Sequence, residues 1–146
     1  MRTIKSFDEF IDEGIVRKIT PDNERSESLK SEADRKFGLL NENIKKNGVD
    51  NNNANDYVEY CYNIIMFLIR AEMFKSGYSS SGQGSHEAEV AFTKNLGFND
   101  TDIRFLDQLR YFRNGILYYG KRFDKEYAEK VIEFTKITYK KLKETF

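Results

Sequence analysis

The chain contains few of the residues on which metal sites and disulfide scaffolds depend. Its 146 residues include one cysteine, Cys61, one histidine, His86, one proline and no tryptophan. An intrachain disulfide needs two thiols and a structural zinc site needs three or four ligands, so both are excluded. Cys61 lies in an apolar stretch, which favours a small buried residue over a nucleophile. The sequence therefore predicts no metal site and no cofactor.

Long hydrophobic runs and the common enzyme signatures are also missing. The longest uninterrupted apolar run, Ile64 to Ile69, is far shorter than the ~20 residues that cross a bilayer. We therefore expect a soluble, cytoplasmic protein that does not enter a membrane. The patterns GxxxxGK[ST], GxSxG and HExxH do not occur, and no GxGxxG follows a predicted strand. The glycine-rich segment 82–85 is either an anion-binding helix start or a plain interhelical loop.

Charge is balanced overall but unevenly distributed along the chain. Lys plus Arg and Asp plus Glu number 24 each. Residues 1–103 carry a net charge of −5 and residues 104–146 a net charge of +5. An anionic partner is therefore expected to prefer the C-terminal third. The carboxylates lie among lysines at helical spacing, which is typical of solvated helix faces and not of paired-acid catalysis.

Periodicity and capping residues predict an all-α fold, an antiparallel up-and-down bundle of five to six helices in one domain, 1–146. No strand is predicted. A capping box, Ser6 with Glu9, starts the first helix, which continues to about Ile19. The other expected helices span about 21–46, 57–76, 86–95, 101–119 and 124–144. Their predicted caps and stops are Thr20, Gly48, Asp56, Ser85, Asn99, Gly120 and Asp124.

Two of these helices have a marked distribution of apolar residues. Helix 57–76 is apolar on nearly every face, which indicates either the central helix of the bundle or a surface that contacts a partner. Steps of four and three residues predict one buried stripe on the fifth helix: Phe105, Leu109, Phe112, Ile116 and Tyr119. A similar stripe is expected on the last helix: Tyr127, Val131, Phe134, Thr138 and Leu142.

The segment 109–120 combines arginines, an amide and tyrosines at the end of a helix. Arg110, Asn114 and Tyr118 follow one another at four-residue steps and share a face, while Arg113 lies beside apolar surface. The pair Asn114-Gly115 costs a helix ~1 kcal/mol against better helix formers. Such a pair has either a packing reason, the close approach of another helix, or a functional one.

At these residues the sequence resembles the HEPN domains (higher eukaryotes and prokaryotes nucleotide-binding), whose diagnostic element is Arg-x4-6-His, commonly with Asn directly after the Arg. Arg113-Asn114 fits that element. The segment from Gly77-Tyr78 to His86-Glu87-Ala88 is similar to the glycine-tyrosine loop and histidine-bearing helix of some prokaryotic members. The resemblance covers about residues 57–143 and implies an up-and-down bundle that forms a homodimer.

The resemblance also implies a function. Active HEPN proteins are metal-independent ribonucleases with a composite site across the dimer interface, and some are toxins paired with a minimal nucleotidyltransferase. In them, histidine handles the proton of the ribose 2′-hydroxyl and arginine holds the phosphate. Here Tyr118 stands where the family's histidine is expected, and Gly120 stands where some members carry an adenylylated tyrosine. A tyrosine with a pKa near ~10 is ionised in about one part in a thousand at pH 7, so it is a poor base.

Three hypotheses follow. In the first, the domain is catalytically degenerate and binds a protein partner, or a nucleotide or RNA phosphate, through five residues: Arg110, Tyr111, Arg113, Asn114 and His86. In the second, it is a metal-independent endoribonuclease of toxin or defence type, with Arg113 as phosphate clamp, Asn114 beside it and Tyr118 or His86 in proton transfer. In the third, it is a dimerisation module in which Tyr111, Tyr118 and Tyr119 pack at the interface.

Overall fold

The computed structural model describes residues 3–145 and is 75% helical. Within that range the elements are α1 (Phe7–Asp12), β1 (Val16–Lys18), α2 (Asn23–Asn47), α3 (Ala54–Ser76), β2 (Tyr78–Ser80), α4 (Ser85–Phe92), α5 (Asp100–Tyr119) and α6 (Lys125–Thr145). A 3-10 turn, Thr93–Leu96, continues α4. The predicted all-α bundle is confirmed.

Helices α2 and α3 form an antiparallel pair. The amide of Asp22, just before α2, donates to the carbonyl of Phe74 near the end of α3 (2.9 Å). At the opposite end, the Tyr57 hydroxyl at the start of α3 donates to the carbonyl of Gly48, just after α2 (3.1 Å). The short polar connection 48–53 allows only this arrangement of neighbouring helices.

Helices α5 and α6 form a second antiparallel pair. Early residues of α5 meet later residues of α6: the rings of Phe105 and Phe134 lie 4.5 Å apart, and those of Phe112 and Tyr127 lie 5.4 Å apart. Asn55, at the start of α3, hydrogen-bonds the backbone of the turn between α5 and α6. The four long helices therefore run alternately up and down around α3.

The prediction that α3 is the central helix is confirmed. It contacts α2, α4, α5 and α6, and apolar residues are buried along its whole length. Cys61 on this helix is fully buried, and burial raises the pKa of its thiol to about 12. A thiol with such a pKa supplies almost no thiolate at pH 7, so Cys61 is a core residue, as expected.

The first helix is shorter than predicted. Its capping box is present: the Ser6 hydroxyl accepts from the amide of Glu9 (3.3 Å), and the Glu9 carboxylate accepts from the amide of Ser6 (3.0 Å). The helix ends at Asp12, and Gly14 follows with a φ of +79°, a conformation that stops a helix. The expected extension to Ile19 is wrong.

The expectation of no strand is also wrong, because the segment after Gly14 pairs with the segment after α3. Val16–Lys18 and Tyr78–Ser80 form a two-stranded antiparallel sheet. Gly77, between α3 and β2, has a φ of +85°, and a Cβ there would lie 2.9 Å from the carbonyl oxygen of Ile19. Three-residue strands carry too few residues for an alternating pattern, and this pair joins segments distant in the sequence.

Most predicted helix ends are confirmed, and three predicted caps are wrong. The confirmed ones are Gly48, Asn99, Gly120 and Asp124. The wrong ones are Thr20, Asp56 and Ser85, in place of which Asp22, Asn53 and Gly84 occupy the N-cap positions. Asn53 does not cap α3 with its side chain; instead it accepts from the amide of Asp50, which closes the connecting turn.

The stripe predicted on α5 is only partly buried. Leu109 is buried, the three residues Phe105, Phe112 and Ile116 are half-buried, and Tyr119 is 81% exposed. The fully buried face consists of Ile103, Leu106, Leu109 and Arg110. On α6, Val131, Thr138 and Leu142 are buried as expected, whereas Tyr127 and Phe134 are half-buried. The last turn of α5 therefore extends beyond the packed part of the bundle.

Candidate anion-binding site

Three helices bring together an arginine, a tyrosine and the single histidine. The hydroxyl oxygen of Tyr62 on α3 lies 3.1 Å from Nδ1 of His86 on α4. The guanidinium carbon of Arg113 on α5 lies 5.2 Å from the centre of the Tyr62 ring, a cation–π distance. Tyr62 is 1% exposed and its position is fixed by the core. It therefore holds the histidine and the arginine beside each other.

The charge of Arg113 is not neutralised. No ion pair or hydrogen bond of its guanidinium is found among the described residues, and its Nε is buried without a hydrogen-bond partner. The residue as a whole is half-buried. A cation in this position attracts an anion from solution, since nothing within the described protein competes for it.

Two other arginines lie near Tyr62, and both are already paired. Arg70 on α3 forms a short ion pair with Glu89, which is 2% exposed. Arg110, 6% exposed, lies 3.0 Å from Asp107 and 3.9 Å from Glu87. Of the two arginines expected to form a positive surface, Arg110 is therefore paired, and only Arg113 has no carboxylate partner among the described residues.

The surroundings of His86 keep its ring neutral. Partial burial lowers the pKa of His86, and the neighbouring cations Arg70, Arg113 and Arg110 lower it further. The ring is nevertheless exposed to solvent on one side. In the tautomer with its proton on Nδ1, His86 donates to the Tyr62 oxygen and Nε2 is a proton acceptor; in the other tautomer the Tyr62 hydroxyl donates to Nδ1 and Nε2 carries the proton. A neutral, accessible imidazole at pH 7 is the protonation state that a general base requires.

The structure brings together three of the predicted site residues, His86, Arg110 and Arg113, and separates the tyrosines from them. Tyr111 and Tyr118 are 63% and 74% exposed. Five positions along a helix turn a side chain by roughly 140°, so Tyr118 and Arg113 project from different sides of α5. Asn114 is half-buried next to Arg113, and its carboxamide makes no hydrogen bond among the residues described.

The nearest neighbour of Gly115 lies in the turn that follows its own helix. A Cβ at Gly115 would come closest to the side chain of Lys121, at 3.4 Å. Because Lys121 lies just after α5, the small residue makes room for a local chain reversal.

Sequence reasoning missed Tyr62, Arg70 and Glu89 as parts of this region. Tyr62 was expected only as one of many aromatic residues on α3. A signal was present for Arg70, because it and Glu72 are the only charged residues between Glu59 and Lys75 on an otherwise apolar helix. A charge placed in a buried helix needs a partner and marks a polar site.

Within residues 3–145 the fold defines an all-α bundle with one small sheet and a cationic site between α3, α4 and α5. No group of three or more side chains suited to a metal ion is found in this part of the chain. None of its helices combines the length and the apolar character that a membrane crossing requires. No protein-family model, no curated protein and no solved structure compared with this chain matches it.

Proposed function

We propose that this chain is a HEPN-like helical domain that binds the phosphates of RNA or of a nucleotide at Arg113. The observation that carries the proposal is the guanidinium of Arg113, which is half-buried, unpaired within the described residues and held beside His86 by Tyr62. A guanidinium donates two parallel hydrogen bonds to a phosphate, which is the strongest hydrogen-bonded pairing open to it.

The pairing of charges supports a phosphate as the ligand. The three arginines of the region are matched in number by Glu87, Glu89 and Asp107, so these side chains carry no net charge and Arg113 is the arginine left without a carboxylate partner among the described residues. Such a site binds one or two phosphates of a flexible strand, whose bases also offer rings for stacking. The resemblance of Arg113-Asn114 to the HEPN element points to the same ligand class.

Binding of a ten-nucleotide single-stranded RNA, followed by fluorescence anisotropy at several salt concentrations, tests the proposal. Arg113→Met removes the charge and keeps the apolar stem. We expect it to weaken binding by tenfold or more and to reduce the salt slope by about 0.7, the value for one lost phosphate contact with a single strand. Lys130→Ala, at an exposed position on α6, removes the same charge elsewhere and should leave affinity nearly unchanged. Equal effects of the two variants would contradict a phosphate site at Arg113.

A second candidate function, metal-independent RNA cleavage, is favoured by the position of His86. Its ring is exposed, its pKa is lowered and it shares Tyr62 with Arg113. In such a reaction Nε2 of His86 takes the proton of a ribose 2′-hydroxyl, and the 2′-oxygen attacks the adjacent phosphorus. The bond to the 5′-oxygen breaks, that oxygen takes a proton from water, and a 2′,3′-cyclic phosphate remains. Arg113 holds the phosphate oxygens that gain charge during the attack.

Cleavage of the same RNA in EDTA tests the second candidate. We expect His86→Gln and Arg113→Met each to abolish the activity. Tyr118→Phe should leave it unchanged, because Tyr118 projects away from Arg113. Activity that survives His86→Gln but not Tyr118→Phe would assign proton transfer to the tyrosine and contradict the geometry.

The homodimer proposal depends on the tyrosines at the end of α5 and not on α3. The apolar surround of α3 is covered by helices of the same chain. Exposed apolar residues cluster at the end of α5, where the sequence also suggested an interface: Tyr111, Leu117, Tyr118 and Tyr119. A cluster of exposed aromatic residues supports a protein contact there, with a second copy or with a nucleotidyltransferase-type partner. If the second copy is the partner, the wild type should sediment as a dimer and Tyr118→Glu as a monomer. A wild-type monomer at micromolar concentration would contradict the homodimer.

A further inference from the structure

A cavity of about 280 Å³ has His86 in its wall. It is lined by α2, the end of α3, β2 and the start of α4. Four of the residues that line it are apolar or aromatic: Leu29, Met73, Phe74 and Tyr78. Pockets for small molecules measure roughly 300–1,000 Å³, so a cavity of this size suits one flat ring system and not a whole nucleotide.

The polar part of this cavity is a buried carboxylate with an arginine beside it. Oε2 of Glu89 accepts from Nε of Arg70, and both residues line the cavity. Oε1 of Glu89 makes no hydrogen bond to the described part of the chain, and it is not among the atoms that are buried without a partner, so it keeps some contact with solvent. Because Glu89 is only 2% exposed and lines the cavity, a ligand in the cavity can donate to this oxygen in place of water. The Nη groups of Arg70 supply donors next to that acceptor.

A flat cation also lies at the cavity. The guanidinium carbon of Arg25 lies over the ring of Phe74, 4.4 Å from its centre, and both residues line the cavity. Bases of single-stranded RNA stack on aromatic rings and on arginine planes, and they hydrogen-bond through their Watson–Crick edges. The cavity therefore offers Phe74 and Arg25, on which a base can stack, and Glu89 and Arg70, which can hydrogen-bond with the edge of that base.

We propose that this cavity binds the guanine base of the nucleotide whose phosphate lies at Arg113. The inference rests on the proposed function, since His86 belongs to both the cavity and the phosphate site. Guanine presents two adjacent donors, N1–H and the N2 amino group, which match the two oxygens of the Glu89 carboxylate, with Oε2 shared with Arg70. Its O6 accepts from Arg70. Adenine and cytosine offer a carboxylate only one amino group beside an acceptor nitrogen, and the N3–H of uracil lies between two carbonyl oxygens.

Four ten-nucleotide RNAs that differ at one central position test this inference: all-uridine, or uridine with one guanosine, inosine or adenosine. We expect the guanosine RNA to bind about tenfold tighter than the uridine and adenosine RNAs, at the lower end of what one bidentate contact gives. Inosine lacks the N2 amino group and should fall in between. Equal affinity for all four RNAs, lost in Arg113→Met, would overturn the guanine pocket alone. No binding of any RNA would overturn both proposals.

Substitutions at the cavity test whether the guanosine preference arises there. Leu29→Trp fills the cavity without touching Glu89, and it should abolish the guanosine preference while leaving the affinity for all-uridine RNA unchanged. Leu39→Trp introduces the same ring on the same helix at a position that is 39% exposed and outside the cavity, and it should keep the preference. Glu89→Gln should also remove the guanosine preference. If that variant does not fold, the Leu29→Trp variant still shows whether the cavity is the source of the preference. A preference that persists in Leu29→Trp would refute the proposal.

Discussion

Replacing Arg113 by methionine should leave the fold as stable as before or make it slightly more stable. The buried Nε of Arg113 has no hydrogen-bond partner, and such a group costs about 1–3 kcal/mol. The contact with the Tyr62 ring returns about 0.5–2 kcal/mol. Methionine keeps the apolar stem and removes both the cost of the unpaired Nε and the gain from the contact with the ring. The midpoints of the two ranges give a gain of just under about 1 kcal/mol in the free energy of unfolding, and their limits run from a loss of about 1 to a gain of about 2.5 kcal/mol.

Urea unfolding followed by circular dichroism measures this change, with Arg70→Met as the matched control. Arg70 neutralises Glu89, which is 2% exposed, and removing one partner of such a pair costs about 3–5 kcal/mol. The two variants delete the same charge near the same tyrosine, and Arg70→Met should destabilise the fold by at least about 2 kcal/mol more than Arg113→Met. A loss in Arg113→Met as large as that in Arg70→Met would show that the Arg113 guanidinium is a structural contact, and the proposed phosphate site would then lose its basis.

Three further results are expected. The pKa of His86, followed by NMR, should rise toward its ordinary value of 6.5 in Arg113→Met, because one of the cations that lower it is gone; an unchanged pKa would place Arg113 away from the ring. The free energy of unfolding of the wild type should fall as the pH drops from 6.5 through the lowered pKa of His86, because the unfolded chain binds a proton more readily than the folded chain does. His86→Gln should lose this pH dependence, and an identical pH profile in that variant would contradict the prediction. Gly77→Ala should cost about 1–3 kcal/mol or more, since a Cβ would lie 2.9 Å from the Ile19 carbonyl, whereas Gly48→Ala, with a φ of +66° and open space, should cost less; melting temperatures compare the two.

Features fixed by neighbouring residues could be predicted from the sequence. The capping box at Ser6 and the stop at Gly120 each depend on residues within a few positions, which is where side chains and backbone interact directly. The central position of α3 was predicted for a similar reason, because a helix that is apolar on nearly every face has to be covered.

Features that depend on distant segments could not be predicted. The sheet forms because the end of α3 returns Tyr78–Ser80 to Val16–Lys18, and neither strand has a pattern of its own. On α5, two overlapping faces both satisfy the helical period, and only the positions of α3 and α4 decide that the face with Arg110 is the buried one.

The candidate site illustrates the same limit. Arg113 and His86 were proposed as members of one site, but their geometric relation depends on how α4 packs against α3 and α5. For proton transfer the sequence left two alternatives open, Tyr118, which stands at the matching position, and His86. In the structure Tyr118 is 74% exposed and His86 lies against Tyr62. Spacing within one helix therefore could not decide between the two residues.

The most direct measurement of the central claim is an NMR titration of the nitrogen-15-labelled chain with a ten-nucleotide single-stranded RNA. If the unpaired guanidinium of Arg113 binds phosphate beside His86, the Nε resonance of Arg113 and the ring resonances of His86 should shift together and saturate at one affinity. Both shifts should vanish in Arg113→Met. RNA that binds and shifts neither side chain would contradict the claim.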